Sequence, residues 1–309
     1  MKKDVMEVFD DERRKTVETI LAAIEEHPLE WQKQWAVMGG VRNGVSGAKF
    51  HGGNVLHALG AMMRHGYKDP RFCSFGQAMK AGLTLKEGEK HVMILEFWKK
   101  VGWKTTETDS DGNEVEEYHG YMKPLRFTPM FNFEQFENAP ELVEESTGFT
   151  EDDAARIADR LISEWVCPIV EEDFDDSAYY SPYSDMIGLP NRHYFVSGES
   201  FLRTMLHEMV HSTGAAGRLN RGIKNTFGTE SYAKEELIAE LGAMFAASEL
   251  GFEAGSMDST HFKLHAAYLK SWLQATREEP KYLFTSASEA SRACDYIMGI
   301  INGEAKMAA

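Results

Sequence analysis

The segment from Ser200 to Gly214 places the strongest constraint on the fold, because it predicts a helix with two histidines on one face. Its apolar residues recur at helical spacing, and Ser200 and Gly214 are suitable residues to begin and end a helix. His207 and His211 are four residues apart, which is about one helical turn. Both imidazoles can therefore reach a single cation, and the segment predicts a metal-binding helix.

A glutamate follows the first of these histidines and completes the pattern His-Glu-x-x-His, which is typical of zinc metallopeptidases. In this pattern Glu208 is the predicted general base, the group that takes a proton from the attacking water. We expect one Zn²⁺ per chain, with Mn²⁺ or Co²⁺ as substitutes. The alternative is that His207 and His211 are ordinary buried histidines without a metal.

A catalytic zinc is normally held by three protein side chains, and a second predicted helix supplies candidates for the third. Glu236 lies 25 residues after His211, and Glu240 follows one turn later on the same face. This spacing suits one metal ligand and one carboxylate that orients a ligand histidine through its second ring nitrogen. Either glutamate can be the ligand. We assign that role to Glu236 and the orienting role to Glu240, and we expect Glu235 to be solvated.

The segment from Tyr179 to Phe195 predicts an extended strand and a loop beside the metal-binding helix. Metallopeptidases of this type bind peptide along such an edge strand through backbone hydrogen bonds. Tyr183, His193 and Tyr232 are candidates to stabilise an oxyanion. Aromatic and histidine side chains in loops more often serve packing, so we assign that role to none of them.

Charge is distributed unevenly along the chain. The formal net charge of -16 argues by itself against a nucleic-acid partner. Residues 1–140 carry a net charge of only -2, however, whereas residues 141–309 carry -14. The window from Trp31 to Lys104 holds 12 basic and four acidic residues, so a basic segment lies within an acidic protein.

Aromatic and basic residues are interleaved within this basic window. Aromatic rings stack on unpaired bases and cations contact phosphates, which is how proteins bind single-stranded nucleic acid. Core packing and solvated lysines account for the same pattern about equally well when it is considered alone. The candidate DNA-binding residues are Trp31, Lys33, Trp35, Arg42, Asn43, Lys49, Phe50, Asn54, Arg71 and Lys90.

Length and local patterns predict two domains in an α+β fold. At about 150 residues per domain, 309 residues with 43% apolar side chains suffice for two cores. The acidic, Pro- and Gly-containing stretch around 138–150 marks the boundary, so we predict domains over 1–140 and 151–309 with a linker at 141–150. Thr150 and Asp153 are a predicted capping box at the start of the second domain.

Two helices and two strands are predicted in the first domain. The opening helix ends near His27, because Pro28 blocks its continuation. A second helix is expected from Asn54 to His65. Two strands, His91–Phe97 and Tyr118–Phe133, flank an acidic insert and are expected to be joined by a long turn.

The cysteines and the hydropathy pattern limit the class of protein further. Cys73, Cys167 and Cys294 are few and widely spaced, which fits neither a disulfide framework nor a Cys-based zinc site. They favour a reducing compartment. The chain starts with a charged segment and has no run of 18 apolar residues, so we expect a soluble, cytoplasmic protein with no membrane partner.

An ordered series of short motifs resembles the plasmid-encoded ArdC antirestriction family along nearly the whole chain. The matching segments include Trp31–Trp35, Arg42–Phe50, Gly66–Phe72, Lys86–Lys90, Asp185–Pro190, His207–Gly214 and Ser231–Leu241. The chain departs from the family pattern at Glu30 and Gln34, where members often carry proline, and at His51, where arginine is commoner. Nucleic-acid contacts near these three positions are therefore the least transferable part of the resemblance.

The resemblance implies an N-terminal α/β domain that binds single-stranded DNA and a mainly helical, zincin-like metallopeptidase domain with a small sheet. It also implies a protein of a mobile element that protects incoming DNA from host restriction, with relatives associated with conjugal primases. Two alternatives stay open. One is a non-catalytic DNA-binding shield or decoy, whose second domain keeps a structural zinc fold only for stability or for contact with a host restriction enzyme. The other is a DNA-activated regulatory protease that cuts a DNA-bound protein.

Overall fold

The computed structural model describes residues 4–26, 40–108, 114–143, 148–173, 177–223, 230–252 and 275–303, with the backbone alone for 24, 104–108, 114–119 and 230. The fold is α+β, and the described residues form one sheet in each half of the chain. The first half contains α1 (Val5–Glu26), β1 (Arg42–Asn43), α2 (Gly53–His65), β2 (Arg71–Cys73), α3 (Phe75–Lys80), β3 (Met93–Thr108) and β4 (Glu114–Asn132).

The four strands of the first half lie in the order β1-β2-β4-β3. Strands β1 and β2 are parallel, and β4 is antiparallel to both of its neighbours. The predicted pair of strands is confirmed, but both are longer than expected, because β3 and β4 stay paired from Met93 opposite Met130 to Thr108 opposite Glu114. Only the last two residues of β4 also pair with β2, so most of this hairpin is a two-stranded ribbon.

The second half contains a small sheet and long helices. Its elements are α4 (Glu151–Glu164), β5 (Ile169–Glu172), β6 (Tyr179–Ser181), β7 (Met186–Pro190), α5 (Gly198–Thr213), α6 (Glu230–Leu250) and α7 (Lys281–Ile301). The strands lie in the order β5-β7-β6, with β7 parallel to β5 and antiparallel to β6. Helix α6 packs against both α5 and α7, and this arrangement holds α5 in place.

The ends of two helices compare directly with the sequence predictions. The capping box of Thr150 and Asp153 is confirmed at the start of α4. Ser200 was the wrong N-cap for α5, because Ser197 caps it and Ser200 lies in the first turn, where its hydroxyl and amide complete a capping box. The predicted end of α5 at Gly214 is confirmed.

One hydrophobic cluster extends across both halves, and two smaller clusters lie within the first half. Side chains of α1 and α2 belong to the same buried cluster as those of α5, α6 and α7. At the junction, a Cβ on Gly53 would lie 2.5 Å from the Phe284 ring, so glycine is required for this close approach. The neighbouring Gly52 has a positive φ of 54° and donates its N–H to Ser291 Oγ at 2.7 Å, which ties α2 to α7.

A buried polar network joins three elements of the first half. The Glu96 carboxylate on β3 accepts from Arg13 Nε on α1 at 2.7 Å and lies 3.0 Å from His57 Nε2 on α2. His57 Nδ1 lies 3.0 Å from the Thr16 hydroxyl, so both ring nitrogens have partners. Burial raises the pKa of Glu96, but hydrogen bonds from His57 and Arg13 outweigh it and hold that pKa below its ordinary value.

All three cysteines are buried and form no disulfide, as their spacing predicted. Within the described part of the chain, none of the helices combines the length and the apolar character that a bilayer span requires.

Candidate metal centre

Helix α5 presents both histidines of the His-Glu-x-x-His motif toward α6. The opposite side of α5 is anchored by side chains that are fully or almost fully buried, among them Phe201, Leu202, Met205 and Leu206. His207 and His211 lie one turn apart, and their Nε2 atoms are 3.2 Å from each other. Helical spacing therefore brings two nitrogen donors to one point, as the sequence predicted.

Helix α6 brings a carboxylate to the same point. Glu236 Oε2 lies 3.6 Å from His207 Nε2, and Glu236 Oε1 lies 3.6 Å from His211 Nε2. A tetrahedral zinc site holds its nitrogen and oxygen ligands about 2.0 to 2.2 Å from the ion, which separates the ligand atoms by about 3.3 to 3.6 Å. The three measured separations fall close to this range, so the donor set can hold a divalent metal ion.

A second carboxylate lies behind each histidine ring. Glu240 Oε1 lies 3.4 Å from His207 Nδ1, and Glu235 Oε1 lies 3.3 Å from His211 Nδ1. In each ring the Nε2 atom faces the shared point and the Nδ1 atom faces a carboxylate, which is the arrangement that orients metal-binding histidines. Glu240 faces the outer nitrogen of His207, whereas Glu236 faces the inner nitrogens of both rings.

The expectation that Glu235 is solvated was wrong. Its side chain is only 12% exposed, and it binds Arg221 Nη2 at 2.6 Å in addition to His211. The reason is that the loop after α5 folds back over α6. Arg221 also donates to Val210 O and to Thr213 Oγ1 at 2.7 and 2.8 Å, and therefore links Glu235 to the last turn of α5.

The histidines and the carboxylates of this centre shift one another's pKa values, each favouring the charged form of its partner. Burial lowers the pKa of His207, but Glu236 and Glu240 outweigh that effect and hold it well above its ordinary value. Burial raises the pKa of Glu236, but the two histidines outweigh it and hold that pKa well below its ordinary value. The inner carboxylate is therefore ionised and ready to bind a cation.

Two further side chains complete the surroundings of the three donors. Glu208, between the two histidines in sequence, is 6% exposed and interacts electrostatically with both of them. Tyr232 donates a hydrogen bond to the Glu236 carboxylate, four residues further along α6. This contact was missed by sequence reasoning, although the spacing of four residues on a predicted helix is its signal.

The segment from Tyr179 to Phe195 forms part of the small sheet and carries two of the side chains considered for stabilising an oxyanion, Tyr183 and His193. Among the strands that the structure describes, β7 is central, and the edges of this sheet are β5 and the three-residue β6. The expected edge strand therefore covers only Tyr179–Ser181. Tyr183 is fully exposed, and the His193 ring lies against Asn191 and Tyr194.

Several predicted DNA-binding residues also have structural contacts. Asn43 is buried, and its Oδ1 accepts from the amides of Val45 and Ser46 in a turn. Asn54 pairs with the backbone of Glu96 through both its Oδ1 and its Nδ2. These contacts account for both asparagines without a ligand, and their DNA contacts stay predictions.

The remaining predicted DNA-binding residues differ in exposure. Arg71 binds the Asp69 carboxylate and lies 4.7 Å from the Phe133 ring centroid. Lys49 forms an ion pair with Glu249 of α6 at 2.5 Å. Arg42 and Phe50 are half-buried, and Lys90 is exposed. Trp31, Lys33 and Trp35 lie outside the described residues, so their DNA contacts also stay predictions.

Two family models match the chain. Residues 10–128 match the model described as the N-terminal domain of anti-restriction factor ArdC. Residues 156–289 match the zincin-like metallopeptidase model, which includes His207, His211 and Glu236. The two matches are consecutive and correspond to the two halves of the fold.

Relatives and solved structures agree with these matches. The chain is 30% identical over 298 residues to the DNA primase TraC of Escherichia coli, covering 91% of this chain but about a quarter (26%) of that primase. It is 26% identical to the uncharacterized protein y4eC of Sinorhizobium fredii, covering 90% of this chain and 88% of that protein.

The crystal structure of the antirestriction protein ArdC from plasmid R388, in its metal-free form, superposes with a TM-score of 0.67 at 26% identity, covering 94% of this chain and 98% of that one. Its Mn(II)-bound form superposes with a TM-score of 0.66, covering 93% of this chain and 97% of that one. Fold, domain order and motif series agree, and the chain belongs to the ArdC-type antirestriction protein family.

Proposed function

We propose that this ArdC-type protein binds single-stranded DNA through its N-terminal domain and hydrolyses peptide bonds at a zinc centre in its second domain. The observation that carries the peptidase half is the convergence of His207, His211 and Glu236, with a separate carboxylate behind each histidine. Two buried histidines without a function do not need this arrangement, because one hydrogen-bond partner per ring nitrogen satisfies them.

Each side chain has a distinct role in this proposal. His207, His211 and Glu236 are the metal ligands, and Glu240 and Glu235 orient the two imidazoles. A bound Zn²⁺ supplies Lewis-acid polarisation of the scissile carbonyl. Glu208 accepts a proton from the attacking water and then donates it to the leaving amine, the usual work of a general base in this motif.

The DNA-binding half rests on charge and on the names of the relatives. The window from Trp31 to Lys104 is basic in an acidic chain, and the similar proteins include a DNA primase and an antirestriction protein. The domains span 1–140 and 151–309, with a linker at 141–150. We assign the protein to a mobile element, acting in the cytoplasm against host restriction.

A non-catalytic shield is the second candidate, and the net charge of -14 on residues 141–309 favours it. An acidic surface can compete for the DNA-binding cleft of a restriction enzyme without any hydrolysis. The two candidates predict different outcomes when the general base alone is removed.

The decisive experiment replaces Glu208 with glutamine, which keeps the shape and removes the base. Cells carrying the wild type, Glu208→Gln or the exposed control Glu279→Gln receive unmodified plasmid DNA, and its survival under restriction is measured. The peptidase proposal predicts that Glu208→Gln retains metal and loses protection while the control keeps both. Full protection by a metal-loaded Glu208→Gln protein would support the shield and contradict the peptidase.

A further inference from the structure

One face of the hairpin of β3 and β4 carries basic and aromatic side chains. Side chains alternate along a strand, so Phe97, Lys99, Val101 and Trp103 of β3 share one face. Tyr121, Lys123 and Arg126 of β4 lie on the same face, because Tyr121 pairs with Val101, Lys123 pairs with Lys99, and Arg126 pairs with Phe97. We call these seven residues the hairpin face.

Two contacts confirm that the strands share this face. The Trp103 and Tyr121 rings meet edge-on with centroids 6.2 Å apart. The Arg126 guanidinium lies 4.1 Å from the centroid of the Phe97 ring. The opposite face packs on the body of the protein at Trp98, whose ring lies 5.3 Å from the Phe9 ring of α1 and whose indole N–H donates to Glu96.

The two large aromatic side chains of the hairpin face are exposed, although side chains of this kind are usually buried in a protein core. Trp103 is 51% exposed and Tyr121 is 53% exposed. An isolated two-stranded ribbon is only marginally stable in water, and exposed aromatic clusters commonly mark interaction sites. These rings contribute little to the core of this protein, and a partner that covers them accounts for their presence.

The positive charges of the hairpin face indicate that its partner is negatively charged. Lys99 and Lys123 lie directly opposite each other, an arrangement that is unfavourable for like charges unless an anion lies between them. The sequence has no acidic residue from Phe97 to Trp103 or from Gly120 to Phe133. In contrast, the thirteen residues from Thr105 to Glu117, between the two halves of the hairpin face in sequence, include six acidic residues and no basic one. An anion is therefore favoured at the hairpin face and disfavoured beyond it.

We propose that the hairpin face is a binding site for single-stranded DNA, with Lys99, Lys123 and Arg126 at phosphates and Trp103 and Tyr121 stacking on bases. This proposal rests on the proposed DNA-binding function and adds to it a surface that includes none of the ten candidate DNA-binding residues. Unpaired bases are the natural partners of exposed rings, because in a duplex the faces of the bases are already stacked. The alternation of the strand places the cations and the rings in succession along a single track.

The test measures binding of a fluorescein-labelled oligo(dT) to the full chain by anisotropy over a series of salt concentrations. The variants are Lys99→Gln with Lys123→Gln, and Trp103→Ala. The matched control is Arg156→Gln with Lys281→Gln, which removes the same charge from exposed sites outside the basic window. Circular dichroism and thermal unfolding verify that each variant is folded.

The plot of log K against log salt concentration has a negative slope, to which each phosphate contact on a single strand contributes about −0.7. The proposal therefore predicts that the double lysine variant has a slope that is shallower by about 1.4. Trp103→Ala is expected to weaken binding by about 5- to 150-fold, the range for one stacked base. The control is expected to match the wild type in slope.

Three results overturn the proposal. If the wild type binds oligo(dT) and both hairpin variants match the control, the hairpin face is not the site, while the proposed function stands. If the wild type binds duplex DNA as tightly as oligo(dT), the stacking role is wrong. If the wild type fails to bind oligo(dT) even at low salt, the proposed DNA-binding function fails and this site fails with it.

Discussion

Replacing Glu235 tests whether the carboxylates behind the histidines orient them for a metal. Glu235 contacts His211 Nδ1 at 3.3 Å and is itself held by Arg221 at 2.6 and 3.1 Å. Loss of such an orienting carboxylate typically lowers metal affinity by about 10- to 100-fold, which is about 1.4 to 2.7 kcal/mol. We expect Glu235→Gln to fall at the lower end of this range, because an amide oxygen can still accept one hydrogen bond.

The same substitution with alanine separates orientation from stability. The Arg221 side chain is only 5% exposed, so Glu235→Ala leaves a buried cation without its carboxylate partner. Breaking a buried pair in this way costs about 3 to 5 kcal/mol. Contacts of Arg221 with Val210 O and Thr213 Oγ1 remain, and we expect the lower end of that range.

Competition of the protein with a chromophoric chelator for Zn²⁺ and Mn²⁺ measures the affinity, and urea unfolding of the metal-free chains measures the stability. Glu279→Gln is the control, since it makes the same chemical change at an exposed site. A folded Glu235→Gln protein with unchanged affinity for both metals would refute the orienting role.

Three further predictions follow from the same structure. Substituting His207 or His211 by alanine is expected to remove most of the bound metal, whereas Glu240→Ala is expected to weaken the metal affinity by about 10- to 100-fold. Competition with a chelator distinguishes the two effects. Retention of metal by His207→Ala would contradict the ligand assignment. Because the pKa of Glu96 is lowered in the folded chain, its contribution to stability is complete above its unfolded pKa and is lost as the pH falls through the folded pKa. Urea unfolding from pH 7 downward is therefore expected to show an acid-side loss that Glu96→Gln reduces, and an unchanged pH profile would exclude this role. Finally, Gly53→Ala places a Cβ 2.5 Å from the Phe284 ring and is expected to lower the unfolding free energy by about 1 to 3 kcal/mol; an unchanged value would mean that the two halves separate at this junction without cost.

The sequence predicted those parts of the centre that depend on helical spacing. His207, His211 and Glu236 lie on two helices whose periodicity is visible in the chain, and the structure brings their donor atoms together. The two carboxylates also differ in position, because Glu236 faces the inner nitrogens and Glu240 the outer one. Which of two carboxylates on one helical face lies inward depends on the packing angle of the helices, and the sequence does not contain that angle.

Contacts made by loops and long hairpins were not predictable in the same way. Glu235 is buried because Arg221, from a loop after α5, folds back onto it. The Asn43 side chain binds the amides of a turn and the Asn54 side chain binds the backbone of a strand, and neither contact is visible in the sequence. Strands β3 and β4 are longer than the sequence predicted. Their outer parts lack the alternation of apolar and polar residues that marks a strand with one face on the core. Each of these features depends on segments distant in sequence.

The most direct test of the metal centre is anomalous diffraction from crystals grown with one equivalent of Zn²⁺ and, separately, of Mn²⁺. The account predicts one peak per chain, within bonding distance of His207 Nε2, His211 Nε2 and the Glu236 carboxylate, with Glu240 and Glu235 at the outer nitrogens. A peak bound by Glu240 in place of Glu236, or no peak between the two histidines with either metal, would contradict it.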